Sequence, residues 1–155
     1  MKVDVQVEAT IERPIAEVYT FAGNPDNVPK WYVNIESAEW QTAPAVSVGA
    51  KVAFVAHFLG RRLAYTYEIV ELVPEERLVM RTADGPFPME TTYTWAKAGD
   101  DHTRMTVRSR GEPTGFGKLT APFMAAAMRR AQSKDLERLR QLLERRGAPA
   151  DGRDT

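Results

Sequence analysis

The chain has 155 residues and no cysteine. Disulfides, thiolate nucleophiles, iron–sulfur clusters and cysteine zinc sites are excluded together. Histidine is scarce: there are two, His57 and His102, and neither has neighbours at metal-ligand spacing. Net charge is missing as well. Lys plus Arg and Asp plus Glu both number 21, so no global field draws in nucleic acid or an anionic membrane. No stretch approaches the roughly 18 apolar residues of a membrane span. The opening MKVDVQVEAT alternates polar and apolar and lacks the continuous apolar run of a signal peptide. The glycines fall at turns and form no phosphate loop, and no nucleophile-elbow motif is present. These absences predict a cytoplasmic protein with no metal, no cofactor, no nucleic-acid partner and no integral membrane association.

What is present is ordered punctuation between amphipathic segments. Val3, Val5, Val7 and Ala9 alternate with Lys2, Asp4, Gln6 and Glu8, the pattern of a strand with one wet face. Arg13-Pro14 opens a short helix whose Ile15, Val18, Tyr19 and Ala22 share a face, and Gly23 stops it. Asn24-Pro25 starts another short turn of helix, expected to end at Pro29. Strands follow at Asn34–Gln41, Lys51–Phe58, Arg61–Val73, Arg77–Thr82, Phe87–Trp95 and Thr103–Ser109, separated by turn signals. Val70 and Leu72 break the inward parity of Leu63, Tyr65, Tyr67 and Ile69, which leaves room for a bulge or a flip there. A final helix is predicted from about Gly117 or Thr120 to Arg146, with Pro122 in its first turns. Its apolar stripe is Leu119, Met124, Met128, Ala131, Leu139 and Leu142 or Leu143, while Asp135 with Arg138 and Arg140 with Glu144 suit an exposed face. Residues 147–155 have no apolar periodicity and are expected to form a flexible tail behind one domain of residues 1–146.

The predicted class is α+β. A helix of about 27 residues spans roughly 40 Å but is only about 10–12 Å wide, whereas six or seven strands at about 4.8 Å make a sheet roughly 30 Å across. A flat sheet would leave most of its apolar face wet. The antiparallel sheet must therefore curl around the helix, and a curled sheet under a single helix leaves a void.

Several ordered segments carry a family resemblance: Arg13-Pro14-Ile15-Ala16-Glu17-Val18, Asn24-Pro25-Asp26, Trp31, Val48-Gly49, Tyr67-Glu68-Ile69-Val70-Glu71, Pro74, Arg77-Leu78, Gly111-Glu112-Pro113 and Asp135-Leu136-Glu137-Arg138-Leu139. Through them the chain resembles the START-like, pollen-allergen-type superfamily, and within it the bacterial polyketide cyclase/dehydrase and lipid-transport (SRPBCC) group. The resemblance covers about residues 1–146. It implies a helix-grip fold and a ligand cavity, but not one function, because the group hosts binders, carriers, cyclases and interaction modules.

Strand parity sends nearly all charge outward, including His57, Glu68, Glu71, Glu90, Arg81 and Arg108. It sends Trp31, Phe54, Phe58, Tyr65, Tyr67, Phe87, Met89, Tyr93 and Trp95 inward with Met80, Thr91 and Ser109, toward Phe123, Met124 and Met128 of the helix. The expected ligand-binding set is Trp31, Phe54, Phe58, Tyr65, Tyr67, Met80, Met89, Thr91, Tyr93, Phe123, Met124 and Met128. Buried hydroxyls need partners, and methionines make a pliable wall, which is the profile of a small-molecule pocket. The leading expectation is a module that binds a hydrophobic or aromatic molecule (a lipid, polyketide or isoprenoid). The alternative is a cyclase, aromatase or dehydratase using Tyr65, Tyr67, Tyr93 and Thr91 as proton-moving hydroxyls. An interaction module, reading an apolar patch around Ala53 and Val55, is a third class, and a homodimer is left open.

Overall fold

The computed structural model describes residues 1–147, so the expected tail lies, but for Gly147, outside the described residues. The elements run β1 (Val3–Ile11), α1 (Ile15–Ala22), a 3-10 turn (Pro25–Asn27), α2 (Val28–Trp31), β2 (Ile35–Trp40), β3 (Lys51–Phe58), β4 (Arg61–Val73), β5 (Arg77–Asp84), β6 (Met89–Lys97), β7 (Thr103–Gly111) and α3 (Ala121–Arg146). The strands form one sheet in the order β1-β7-β6-β5-β4-β3-β2, antiparallel throughout. This is the helix-grip architecture: a curled sheet, a long closing helix and short helices after the first strand.

Local chemistry sets the joints. The β3–β4 turn places Leu59 at φ 51° and Gly60 at φ 78°, the paired positive values that suit a tight hairpin. Asn24 caps the 3-10 turn by accepting the Asp26 amide at 3.0 Å. Pro29 does not end that turn. It is the second residue of α2, where its missing N–H is one the first helical turn leaves free anyway.

The curl comes from irregular pairing. Register shifts between Ile69 and Glu71 and between Thr66 and Tyr67 against β5, and another between Ile35 and Ser37 against β3, bend their strands and increase the twist. The first of these shifts falls at Val70, where the parity breaks. Register also builds a row across the inner face. Thr91 lies opposite Met80 on one side and opposite Ser109 on the other.

Helix α3 is divided along its length. Leu136, Leu139 and Leu143 are buried and join the core, while the helix packs along β1 and against α2. Resting against one edge of the sheet, it leaves the space before β3, β4 and β5 open at its N-terminal half. Two expectations about this helix fail. Phe123 is 69% exposed: neighbouring helical residues point about 100° apart, and it is Met124 that faces in, fully buried. Asp135 is not on the wet face. It is 5% exposed, because it lies seven residues after Met128 and four before Leu139 and so falls on the stripe they define.

Candidate functional site

The space beside α3 is a cavity of two adjoining lobes. The outer lobe, about 160 Å³, lies between α3 and the strands β3 and β4. The inner lobe, about 120 Å³, reaches the Thr91 row of the sheet. Tyr32, Ile35, Tyr65 and Tyr67 line both lobes and form the waist between them. The rings of Tyr65 and Tyr67 meet edge to face at 5.0 Å, so the waist is aromatic on the sheet side.

Most of the expected residues reach this cavity. Phe58, Met89, Met124 and Met128 line the outer lobe; Phe54, Met80, Thr91 and Tyr93 line the inner one. Two do not. Phe123 points to solvent, and Trp31 is fully buried behind the site, packed on Tyr32 at 4.5 Å and Tyr93 at 5.6 Å. Trp31 therefore backs the wall rather than forming it.

Three aromatic rings close the outer end. Phe116 meets Phe58 and Phe87 with centroids 6.0 Å apart in both pairs. The Arg61 guanidinium lies over Phe116 at 5.2 Å and over Phe87 at 5.9 Å, and donates to the Thr114 carbonyl. Phe116 gave no signal in the sequence because it sits in a breaker segment, outside any periodic element. His57 and Glu36, 3.0 Å apart and both half-exposed, stand at the rim. The outward-parity arginines stay outside: Arg81 pairs with Glu90 and Arg108 with Asp4.

The polar interior is sparse and organised. Gln132 donates through its amide nitrogen to Ser109 Oγ. The serine's own proton is then free for Thr91 Oγ1 at 3.5 Å, and the threonine's for the Tyr67 hydroxyl at 3.0 Å. Tyr32 and Tyr93 share a hydrogen bond of 2.7 Å. Burial raises all four tyrosines, Tyr67 to about 12 and Tyr32, Tyr65 and Tyr93 well above their ordinary range. At neutral pH they are hydroxyls, able to donate, and not phenolates.

Two polar groups here were missed in the sequence, Gln132 and Asp135, both on the cavity wall. Asp135 Oδ1 accepts the Val33 amide at 2.9 Å. Burial pushes its carboxyl up to about 6, against the opposing pull of the Val33 amide and of Arg138. The signal that could have found both was position: each falls on the helical stripe with Met128 and Leu139. Among the described residues no group of three His, Cys, Asp or Glu side chains is placed to hold a metal ion, and no helix is long and apolar enough to cross a membrane.

Residues 2–144 match the family described as polyketide cyclase / dehydrase and lipid transport. The chain belongs to this family. A similar sequence is an uncharacterized 17.2 kDa protein from the melC2-rnhH intergenic region of Streptomyces lincolnensis. It is 22% identical over 151 residues, which span 97% of this chain and 95% of the other. Among solved structures, the Zhui aromatase/cyclase from Streptomyces sp. R1128 superposes with a TM-score of 0.80 at 18% identity, covering 98% of this chain and 99% of that one. A START superfamily protein from Mycobacterium smegmatis also superposes at 0.80, with 11% identity and coverage of 92% and 97%. At these identities the likeness is one of fold.

Proposed function

We propose that this family member binds a small hydrophobic or aromatic molecule in the two-lobed cavity between sheet and α3. The observation that carries this is the cavity itself: an apolar chamber closed at one end by Phe58, Phe87 and Phe116 and waisted by Tyr65 and Tyr67. Size narrows the ligand. A cavity of about 150 Å³ takes one benzene ring, and the lobes measure about 160 Å³ and 120 Å³. The fitting body is about two rings or a short isoprenoid chain, laid across the waist. A two-tailed lipid is far larger and would have to part α3 from the sheet. Native mass spectrometry of the protein purified from its own host, followed by titration with naphthalene-sized aromatics, tests this. Expected are a stoichiometric bound molecule or saturable binding at the waist, lost when Tyr65 is replaced by tryptophan to fill it. No adduct and no saturable binding would sink the proposal.

A second function, cyclisation or dehydration of a reactive carbonyl chain, draws on Asp135. A carboxyl raised to about 6 by burial can give or take a proton near neutral pH. The name of the Zhui aromatase/cyclase, which shares the fold, is consistent with it. Turnover of a poly-β-ketone analogue that disappears in Asp135→Asn would support it; binding without turnover leaves the carrier.

A further inference from the structure

We propose that the ligand of this cavity carries a protonated amine, held by the Asp135 carboxylate and the Gln132 side-chain carbonyl at the α3 wall of the outer lobe. This deepens the binding function proposed above and rests on it.

The groups concerned are acceptors left without donors. Gln132 is 8% exposed and Asp135 5%. The Gln132 amide nitrogen is committed to Ser109, and its Oε1 is buried with no hydrogen-bond partner. Asp135 uses Oδ1 for the Val33 amide and has no other hydrogen bond among the described residues, so Oδ2 is free. The two residues are three apart on one helix, which places their side chains side by side, and both line the outer lobe. The Tyr65 hydroxyl, in the same lobe, likewise has no partner among the described residues.

Charge and donor number then select the ligand group. Among the described residues no cation forms an ion pair with Asp135. Arg138, one turn along α3, donates to the Lys30 carbonyl at 2.9 Å, and Lys134 is exposed. From α2 and the sheet, Tyr32, Tyr65, Tyr67 and Tyr93 face the region as neutral hydroxyls, and His57 at the rim is turned to Glu36. A carboxylate in an apolar wall is costly unless paired. A neutral alcohol brings one donor and leaves one acceptor bare; a carboxylic acid adds like charge. An ammonium brings up to three donors, one each for Asp135 Oδ2, Gln132 Oε1 and Tyr65, and a positive charge that the tyrosine faces also attract.

The test compares 2-(1-naphthyl)ethylamine with 2-(1-naphthyl)ethanol on the full chain, by calorimetry near neutral pH. The amine should bind at least about tenfold more tightly. Asp135→Asn should remove that advantage while leaving the alcohol within about twofold, and Gln132→Met should cut amine affinity several-fold. In the wild type, which needs no variant, amine affinity should fall as pH drops below about 6 and alcohol affinity should not. Equal binding of the two probes, unmoved by pH or by Asp135→Asn, overturns the amine and leaves the cavity function standing. Binding of neither probe overturns both.

Discussion

Replacing Asp135 by asparagine should stabilise the protein at neutral pH and leave it no more stable in acid. The carboxyl moves from its ordinary 3.8 to about 6 because burial disfavours the charged form. The protonated form is thus favoured in the folded chain, which binds more protons than the unfolded chain between those two values. The contribution of this group is full below the unfolded value and is lost as pH rises through about 6. The difference corresponds to about 3 kcal/mol at neutral pH. Asparagine has no charge to bury. Its Oδ1 can keep the bond from the Val33 amide. The variant should exceed the wild type by about 2–3 kcal/mol at neutral pH and match it near pH 4.

Urea unfolding from about pH 4 to pH 8 reads this directly, with m-values checked for constancy. The quantity of interest is variant minus wild type. Asp4, held low chiefly by its hydrogen bond from Arg108, and Glu137, held low chiefly by that from Arg140, act in the opposite sense, losing stability at the acid end. Both are common to the two proteins and cancel in the difference. The difference should climb from about pH 4, be half complete near about pH 5 and level off above about pH 6. A difference that stays flat across this range would show that the carboxyl is solvated and would refute the burial on which the argument rests.

Trp31→Ala should cost about 3–5 kcal/mol, since the indole is fully buried against Tyr32 and Tyr93; a loss below about 1 kcal/mol in thermal unfolding would mean that the wall behind the cavity can collapse to fill the space. Arg61→Ala uncovers Phe87 and Phe116 and frees the Thr114 carbonyl, so a bound naphthalene probe should leave several-fold faster in stopped flow, with stability changed by less than about 1 kcal/mol. Phe123→Ser should change stability by no more than about 0.5 kcal/mol, because the ring is 69% exposed; a larger loss would place it in packing that the structure does not contain.

The strands were legible because period-2 alternation names both an element and its inward face. Leu63, Tyr65, Tyr67 and Ile69 point inward as their parity demands, and the turns between strands fall at their Gly, Pro and Asp signals. The mouth was less legible. Phe116 and Pro113 belong to no repeat, and their place depends on where the curled sheet brings the β7–α3 segment. The helix is less legible for a different reason. Residue type and helical position disagree there: an aromatic side chain suits the inside and a carboxyl the outside, yet Phe123 is exposed and Asp135 buried. Position wins in both cases, because the backbone fixes where a side chain points before its chemistry is consulted.

Position also explains where the polar pair lies. Along α3 the stripe passes from Met124 and Met128, which face the cavity, to Leu139 and Leu143, which face solid core. Gln132 and Asp135 occupy the join. Deeper toward the C-terminus a carboxyl would be sealed in hydrocarbon with no donor; nearer the N-terminus it would be rinsed by the mouth and lose its hold on any ligand. At the join, protein groups satisfy one side of each residue: the Val33 amide for Asp135 and Ser109 for Gln132. The other side of each is an unused acceptor on a residue that lines the lobe. Each residue is therefore fixed in place by half of its hydrogen-bonding capacity and holds the other half unpaired and desolvated. Such half-satisfied groups weaken the empty protein, and filling them makes binding sensitive to the polar end of the ligand while the apolar walls accept its body.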